Sequence, residues 1–448
     1  MGLARAIVLL MLVMSATTWY LIFTKSLRNA LSQRASRRSA SPFSINVLRH
    51  DDYHRVRLID ADAAHRVTLL GSSGGANSID GSTWNPFTRR LLFTSEGTGG
   101  VFDATPDYPS TVGKVDALGY GGYEGVQVDG DGNLWLVSDI GGRTGTVNTK
   151  AKQPNSFIYR FSPTNVGDLS RGGVLEALQV TGRDGKPITF TTGADAGAAA
   201  DADILSAAMR DLHTYGLSFR TGWVKVHDTA TDGTATFDAN AAAKAAGATP
   251  FKRPENGVFR PGTGFREFAF TETGDTNAAT QAGEQYGGFG GVFLLSQRSP
   301  SAAGGRLRLV VRGDVAHTGF DNIAWWDRDR IAVVEDAGDG LHTSRNALDS
   351  GYLVDVRQAQ PAPVRFLAEG RDPSATIDSA LSGTPGFQNE GDNEITGIHV
   401  SDGDPTVQGL LGRRVPRPFE GRWRVFWTAQ HGDNVTYEIV RTHRGADR

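Results

Sequence analysis

The sequence predicts an all-β fold, a β-propeller of about six blades with a small helical insertion, preceded by an N-terminal apolar helix. Three observations lead there. Units of about 40 to 70 residues recur along the body, each with four short β-rich runs divided by turn residues. Glycine supplies 56 of the 448 residues, well above the usual share of roughly 7%, and at that density it marks turns rather than helix interiors. Long helical patterns are missing between the runs, and a parallel α/β sheet would need them for its crossovers. The bulk composition, 39% hydrophobic and 21% charged, suits a packed globular body. A net charge of -3 lacks the basic excess that a phosphate backbone demands, so nucleic acid is not an expected partner. With no cysteine, the chain has no disulfide, thiolate metal site or thiol nucleophile.

Taken from the start, residues 1–24 contain an uncharged run, Ala6 to Phe23, whose 18 residues would make roughly 27 Å of helix, close to a bilayer core. It reads as a signal peptide or a signal anchor, which implies export to the periplasm or beyond, with membrane attachment if the segment is retained. Lys25, Arg28, Arg34, Arg37 and Arg38 follow the run, and the positive-inside rule would place them in the cytoplasm. Ser36-Arg37-Arg38 has the look of a twin-arginine signal, but no apolar stretch follows it. Residues 25–50 are basic and serine-rich, the composition of a flexible tether, and 51–448 form the propeller.

Five blades are recognisable. A weak unit opens near Asn77 and passes through STWNPFTRRLLFTSEGTGG; a full one runs from YEGVQVDGDGNLWLVSDIGG at Tyr123 to GVLEALQVTGRDG at Gly173. Further units begin at Arg253 with RPENGVF, at Phe320 with FDNIAWW and near Asn393, the last ending in VTYEIVRT. HRVRLID from His54 or HRVTLLG from His65 would close the ring beside the last strands and remove an exposed edge. Residues 187–250 fit the repeat badly and read as an insertion, with short helices at Ala198–Leu212 and from Asp238, a strand between them, and room for a degenerate sixth blade.

Carboxylates fall at fixed places in these units. An acid opens the first strand at Glu124, Glu255, Asp321 and Glu394, and another ends the second at Glu96, Asp139, Glu272 or Glu335. Antiparallel pairing would bring both to one end of each blade, and radial repetition would gather these ends around the channel. A ring of like charges repels unless cations neutralise it, and oxygen ligands suit calcium or another hard ion. Any single acid beside glycine is more often a turn former than a ligand, as DGDG at Asp129 to Gly132 is, and it is the recurrence that favours metal binding for the set. Lys252-Arg253 sits directly before Pro254-Glu255, where arginine would grip a phosphate or pair with a neighbouring acid. Extended backbone before Pro254 would send Arg253 and Glu255 to the same side. His317, His342 and His431 are weaker candidates, and Trp325, Trp326, Trp423 and Trp427 suit packing between blades. No serine-hydrolase elbow, zincin or P-loop motif occurs.

At these residues the chain resembles the PhoX-type alkaline phosphatase family, whose members are six-bladed propellers with calcium and iron at one end of the channel. The segment KAAGATPFKRPENGVF from Lys244 carries the resemblance best, and it implies Arg253 as a phosphate contact and Glu255 as a metal ligand. GSTWNPFTRRLLFTSEG, YEGVQVD, FDNIAWWDRDRIAVVEDAGD and NEITGIHV extend it to Glu96, Glu124, Asp321 with Glu335, and Glu394 as further ligands. The resemblance runs over roughly residues 70 to 434, with one departure. The family's iron is held partly by a cysteine, which this chain lacks, so Ca2+ is the expected ion and Fe3+ would need a substitute ligand. The function implied is metal-dependent hydrolysis of a phosphoric ester, with a small phosphorylated or otherwise anionic substrate. A lactonase-like calcium propeller, which Asn256 and Asn322 beside the ligand candidates would suit, and a non-catalytic calcium-binding scaffold are the competing functions.

Overall fold

The computed structural model describes residues 43–47, 79–95, 98–106, 110–336, 341, 344–345, 347, 349–369, 394–430 and 436–441. Strands dominate them. β1 (Phe43–Val47) comes first, followed by a four-stranded antiparallel sheet of β2 (Ile79–Asn85), β3 (Arg90–Ser95), β4 (Gly100–Ala104) and β5 (Val112–Lys114). The second blade is β6 (Tyr123–Val128), β7 (Leu134–Ser138), β8 (Ile158–Pro163) and β9 (Gly173–Val180). After β10 (Phe219–Asp228) comes a third, β11 (Pro254–Phe259), β12 (Glu267–Glu272), β13 (Gly291–Gln297) and β14 (Gly304–Arg312). The fourth is β15 (Phe320–Trp325), β16 (Arg330–Glu335), β17 (Asp349–Asp355) and β18 (Val364–Glu369). β19 (Glu394–Ser401), β20 (Arg424–Gln430) and β21 (Thr436–Arg441) form the last, and β1 pairs with β21 to complete it. The closing strand is therefore Phe43–Val47, inside the stretch whose composition suggests a tether. The segments from His54 and His65, the apolar run Ala6–Phe23 and the rest of 1–42 lie outside the described residues. Among the described residues no helix is long and apolar enough to cross a membrane.

Period-two alternation explains how the blades stack, because successive side chains on a strand point to opposite faces. Trp135, Phe259, Phe268 and Phe293 fill the layer between the second and third blades. Their neighbours Val258, Ala269, Val292 and Leu294 fill the next layer, against Phe320 and Trp325. Trp326 turns the other way and joins Trp427 between the fourth and fifth blades, and Trp423 packs against the same layer. The first strands β2, β6, β11, β15 and β19 consequently lie side by side in that order. Turn chemistry supports the sheets: in the β6–β7 hairpin the Asp129 carboxylate accepts from the Asp131 and Asn133 amides and from Trp135 Nε1, while Gly132 supplies φ 86°.

The insertion carries α1 (Ala196–Ile204), α2 (Ala207–Leu212), α3 (Thr229–Asp232) and α4 (Ala239–Ala245), N-capped in turn by Asp195, Ser206, Asp228 and Asp238. Among the described residues it contributes one long strand rather than a further blade. β10 pairs with β9 on one side and β14 on the other, so the second and third blades merge into a nine-stranded sheet. Gly304 permits this junction, since a Cβ there would meet the Thr221 carbonyl oxygen at 2.1 Å. Bridging both outer edges also hides them from other chains.

A strap, residues 402–423 between β19 and β20, crosses the hairpin end of the blades. Pro405 O accepts from Trp84 Nε1 at 2.7 Å and Gly412 O from the Gly264 amide at 3.0 Å. Leu410 packs against the first two interblade layers, Leu411 against the third and Phe419 against the fourth. Because Trp84 lies near the far end of β2 and Gly264 in the turn that joins β11 to β12, the strap covers the end opposite to where the first strands begin. Trp84→Phe should lower stability by about 1 kcal/mol, the net worth of one hydrogen bond. It should also speed proteolytic cleavage within 402–423. Denaturant melts and limited proteolysis read the two effects; unchanged cleavage would mean that the strap is held by packing alone.

Candidate metal and anion site

The first four blades share one irregularity. Ile79 pairs with Ser95 but Ser82 with Phe93; Tyr123 with Ser138 but Val126 with Leu136; Pro254 with Glu272 but Gly257 with Phe270; Phe320 with Glu335 but Ile323 with Val333. Each first strand thus takes three steps against its partner's two, which is a bulge, and a bulge re-aims the side chain it carries. Asp80, Glu124, Glu255 and Asp321 all occupy its first position. In the fifth blade the slip falls later, between Ile395 and Gly397, so Glu394 precedes it. Two of the bulges are tied to the preceding blade at their main-chain carbonyls. Thr94 Oγ1 donates to Glu124 O at 2.6 Å, and Thr271 Oγ1 to Asp321 O at 2.5 Å. Gly81 is required by close approach, because a Cβ there would stand 2.1 Å from Glu124 O.

Carboxylate oxygens of Glu124, Asp139 and Glu255 lie within 4.8 Å of one another. Glu124 and Glu255 are buried, at 5% and 7% exposure, which makes their mutual repulsion costly. The opposing cation is Arg253. Its Nε lies 3.1 and 3.0 Å from the two Asp139 oxygens, its Nη2 2.6 Å from Asp139 Oδ2 and 3.7 Å from Glu255 Oε1. Burial opposes the charge on Arg253, yet Asp139 and Glu255 hold it more firmly protonated than an ordinary guanidinium. Burial pushes the Glu255 carboxyl well above its usual range, and the Asp139, Asp336 and Asp80 charges add to this while Arg253 resists it. Asp80 is pushed up to about 6, chiefly by burial and further by Asp139, with hydrogen bonds to Glu124 and Asn256 pulling the other way. Lys152 stands in the same field: burial and then Arg253 lower its pKa, while Asp139, Asp275 and Glu255 raise it.

The backbone at Arg253 differs from the extended form that the following proline suggests. Its φ is 56°, a left-handed conformation uncommon outside glycine. Both flanks explain it. The Lys252 amide donates to Glu272 Oε1 at 2.8 Å and its Nζ pairs with Asp275 at 3.0 Å, while the Thr273 amide donates to Arg253 O at 2.8 Å. With the neighbours fixed inward, the chain turns at Arg253 and swings the guanidinium toward Asp139. Strain of this kind persists where surrounding structure enforces it.

The structure gathers Glu124, Glu255 and Arg253 into one cluster. Asp321 occupies the equivalent bulge one blade on, buried, outside the three-carboxylate group. Glu335 is engaged elsewhere: Oε1 accepts from the Thr318 amide and Arg345 Nη1, and Oε2 from Arg345 Nη2 and the Ser350 amide. Glu272 fills the same role in the preceding blade, bonding the Lys252 amide and His213 Nε2. His317 rests on Asp314 and the Tyr352 ring, away from the cluster. Glu96, His342, His431 and the side chain of Glu394 lie outside the described residues. Three members escape selection from sequence: Asp80, although Asp80-Gly81 repeats the pattern of Glu124-Gly125; Asp139, visible only as a strand-ending acid; and Lys152, which carries no sequence signal. The donor set is entirely oxygen and holds more carboxylates than cations, which suits a hard ion such as calcium.

The family model for alkaline phosphatase PhoX matches residues 96–404. No curated protein matches the sequence. Among solved structures, Pseudomonas fluorescens PhoX in complex with vanadate, a transition state analogue, is similar at 14% identity and a TM-score of 0.47, over 77% of this chain and 57% of that one. The chain therefore spans little more than half the length of that phosphatase. A gluconolactonase from Xanthomonas campestris is similar at 13% identity and a TM-score of 0.37, over 92% of this chain and 99% of that one.

Two outcomes test this geometry. Asp80 has a folded pKa near 6 against 3.8 unfolded, so between those values the folded state binds more protons. In cation-free protein its contribution to stability is therefore present at low pH and lost as pH rises through about 6. Melts from pH 4 to 7 should show that loss; Asp80→Asn should flatten it and added calcium should offset it. Separately, Arg345→Met should cost about 3 to 5 kcal/mol, because it strands Glu335 inside the fold, and a smaller loss in denaturant melts would refute Glu335 as a buried ion-pair partner.

Proposed function

The chain belongs to the PhoX alkaline phosphatase family, and from that premise we propose that it hydrolyses small phosphoric monoesters at the acid cluster, with Ca2+ as the bound ion. The observation that carries this reading is Arg253, a guanidinium in left-handed backbone paired with Asp139 and Glu255 of a three-carboxylate group. Asp80, Glu124, Asp139 and Glu255 are the proposed ligands, with Asp321, in the equivalent bulge of its blade, and Glu96 and Glu394 as further candidates to complete the ring. Glu335 is left out, since four donors already fill its oxygens. Iron held by a thiolate is excluded by the cysteine-free sequence, which is why calcium is proposed. Export, a sixth blade closing the ring, and Ala6–Phe23 as signal or anchor belong to the same reading.

When bound, calcium supplies Lewis acidity toward a phosphoryl oxygen and neutralises developing charge. The protein's own groups do the rest. The bulges fix the carboxylates through main-chain bonds, so the ligand oxygens need little reorganisation. Arg253 offers planar, paired N–H donors to phosphoryl oxygens and is aimed by Asp139. Lys152 adds a second positive charge beside it, favouring an anion near an otherwise acidic cluster. The strap covers the opposite end of the blades, so substrate approaches from the acid-bearing face.

Two substitutions should differ in their effects. Glu255→Gln should lose bound calcium and turnover together. Arg253→Ala should keep or gain calcium, since a competing positive charge is gone, yet lose roughly 2 to 4 kcal/mol of transition-state stabilisation. Elemental analysis and turnover of para-nitrophenyl phosphate measure both. If calcium-loaded wild type cleaves a lactone and no phosphoester, the phosphatase reading gives way to the lactonase one.

A further inference from the structure

One feature of the acid-bearing face takes no share in this chemistry. A cleft of about 300 Å³ is built by the insertion and the β7–β8 loop. Arg143, Gln153 and Asn155 come from that loop, Phe190 and Thr191 from the segment before α1, and Lys244 from the last turn of α4. The loop is shared with the acid cluster. It starts at Asp139, and Asn155 Nδ2 donates to Ile140 O at 3.1 Å, on the residue next to Asp139. Lys152, two residues before Pro154, feels the charges of Arg253, Asp139 and Glu255.

The chemistry of the cleft is the reverse of the cluster's. Two cations line it and no Asp or Glu does. Lys244 Nζ lies 4.2 Å from the Phe190 ring centroid, half buried, and makes no ion pair among the described residues. Burial lowers its pKa, and the acid acting on it, Asp238, sits at the other end of its helix. An ammonium drawn out of water without a counter-ion favours an anion beside it. The walls are already set: Gln153 Nε2 donates to Thr191 O and Asp203 Oδ2, and Asn240 Nδ2 holds Asn155 O at 2.7 Å. A preformed cleft with a few fixed polar groups is the usual form of a small-molecule subsite.

We propose that this cleft binds the second anionic group of a substrate whose phosphoryl group sits at Arg253, so that the preferred esters carry two anionic groups. The substrate half of this rests on the phosphatase reading; the anion site does not. The class covers bisphosphates and phosphorylated carboxylic acids, since Lys244 and Arg143 would accept either anion.

The Arg143→Met, Lys244→Met double variant should raise KM about tenfold for fructose 1,6-bisphosphate and for 3-phosphoglycerate, leaving kcat and the KM for phenyl phosphate unchanged. A rise for one substrate only identifies whether phosphate or carboxylate is the second group; no rise for either overturns the proposal. Calorimetry with inorganic phosphate and with acetate on chelator-treated protein tests the cleft without catalysis, and binding that survives in the double variant belongs to Arg253 rather than to the cleft. Wild type should bind one or both and the double variant at least about tenfold more weakly. Exposed Arg143→Met alone should give a partial loss with an unchanged melting curve, separating anion binding from folding. Equal binding in wild type and variants, or none in wild type, overturns the cleft. Binding that is lost in the double variant, in a protein that cleaves no phosphoester when loaded with calcium, keeps the cleft and removes the phosphatase reading.

Discussion

Everything at the acid-bearing face depends on holding like charges close together against their repulsion. Three carboxylates within 4.8 Å, two of them buried, are tolerable only where the main chain gives them no way to separate. The bulges provide that constraint, with the carbonyls of Glu124 and Asp321 tied to threonines on the preceding blade. Arg253 supplies some of the missing positive charge and does so from a backbone conformation that costs energy, which indicates how strongly its neighbours specify its position.

Two of the acids that end the second strands, Glu272 and Glu335, do different work from those that open the first. Glu272 and Glu335 face into the blade ends, where they take main-chain amides three residues before Glu255 and Asp321 and pair with His213 and Arg345. They fasten the approach to the bulge and leave no oxygen for an outside ligand. Position in the repeat is shared by the two sets; direction is not.

That difference marks what sequence can and cannot reveal. The blades are legible because strand period is local: alternation such as Leu134, Leu136 or Trp325 against Trp326 is written in consecutive residues. Glu124 and Glu255 are legible because an acid recurs where the first strand of a unit opens. Glu335 looks like a ligand in sequence because its true partners, the Thr318 amide and the Arg345 guanidinium, come from separate turns that meet only in the fold. Asp80 is hidden because its unit is weak and Glu96 stands out instead. Lys152 and the left-handed turn at Arg253 leave no trace, since both are set by contacts from distant segments.

The strand β10 gives the insertion a mechanical meaning. The acid cluster straddles a seam, with Glu124 and Asp139 on the second blade and Arg253 and Glu255 on the third. Blades meet mainly through side-chain layers, and such a layer lets two sheets tilt like pages about a spine. A small tilt here would prise Arg253 away from Asp139. β10 sews the outer margins of these same two blades into continuous sheet, with hydrogen bonds along both its sides. The pages bearing Arg253 and its carboxylate partners are thereby bound at both edges, and the flexing a propeller ordinarily allows is diverted to the other seams.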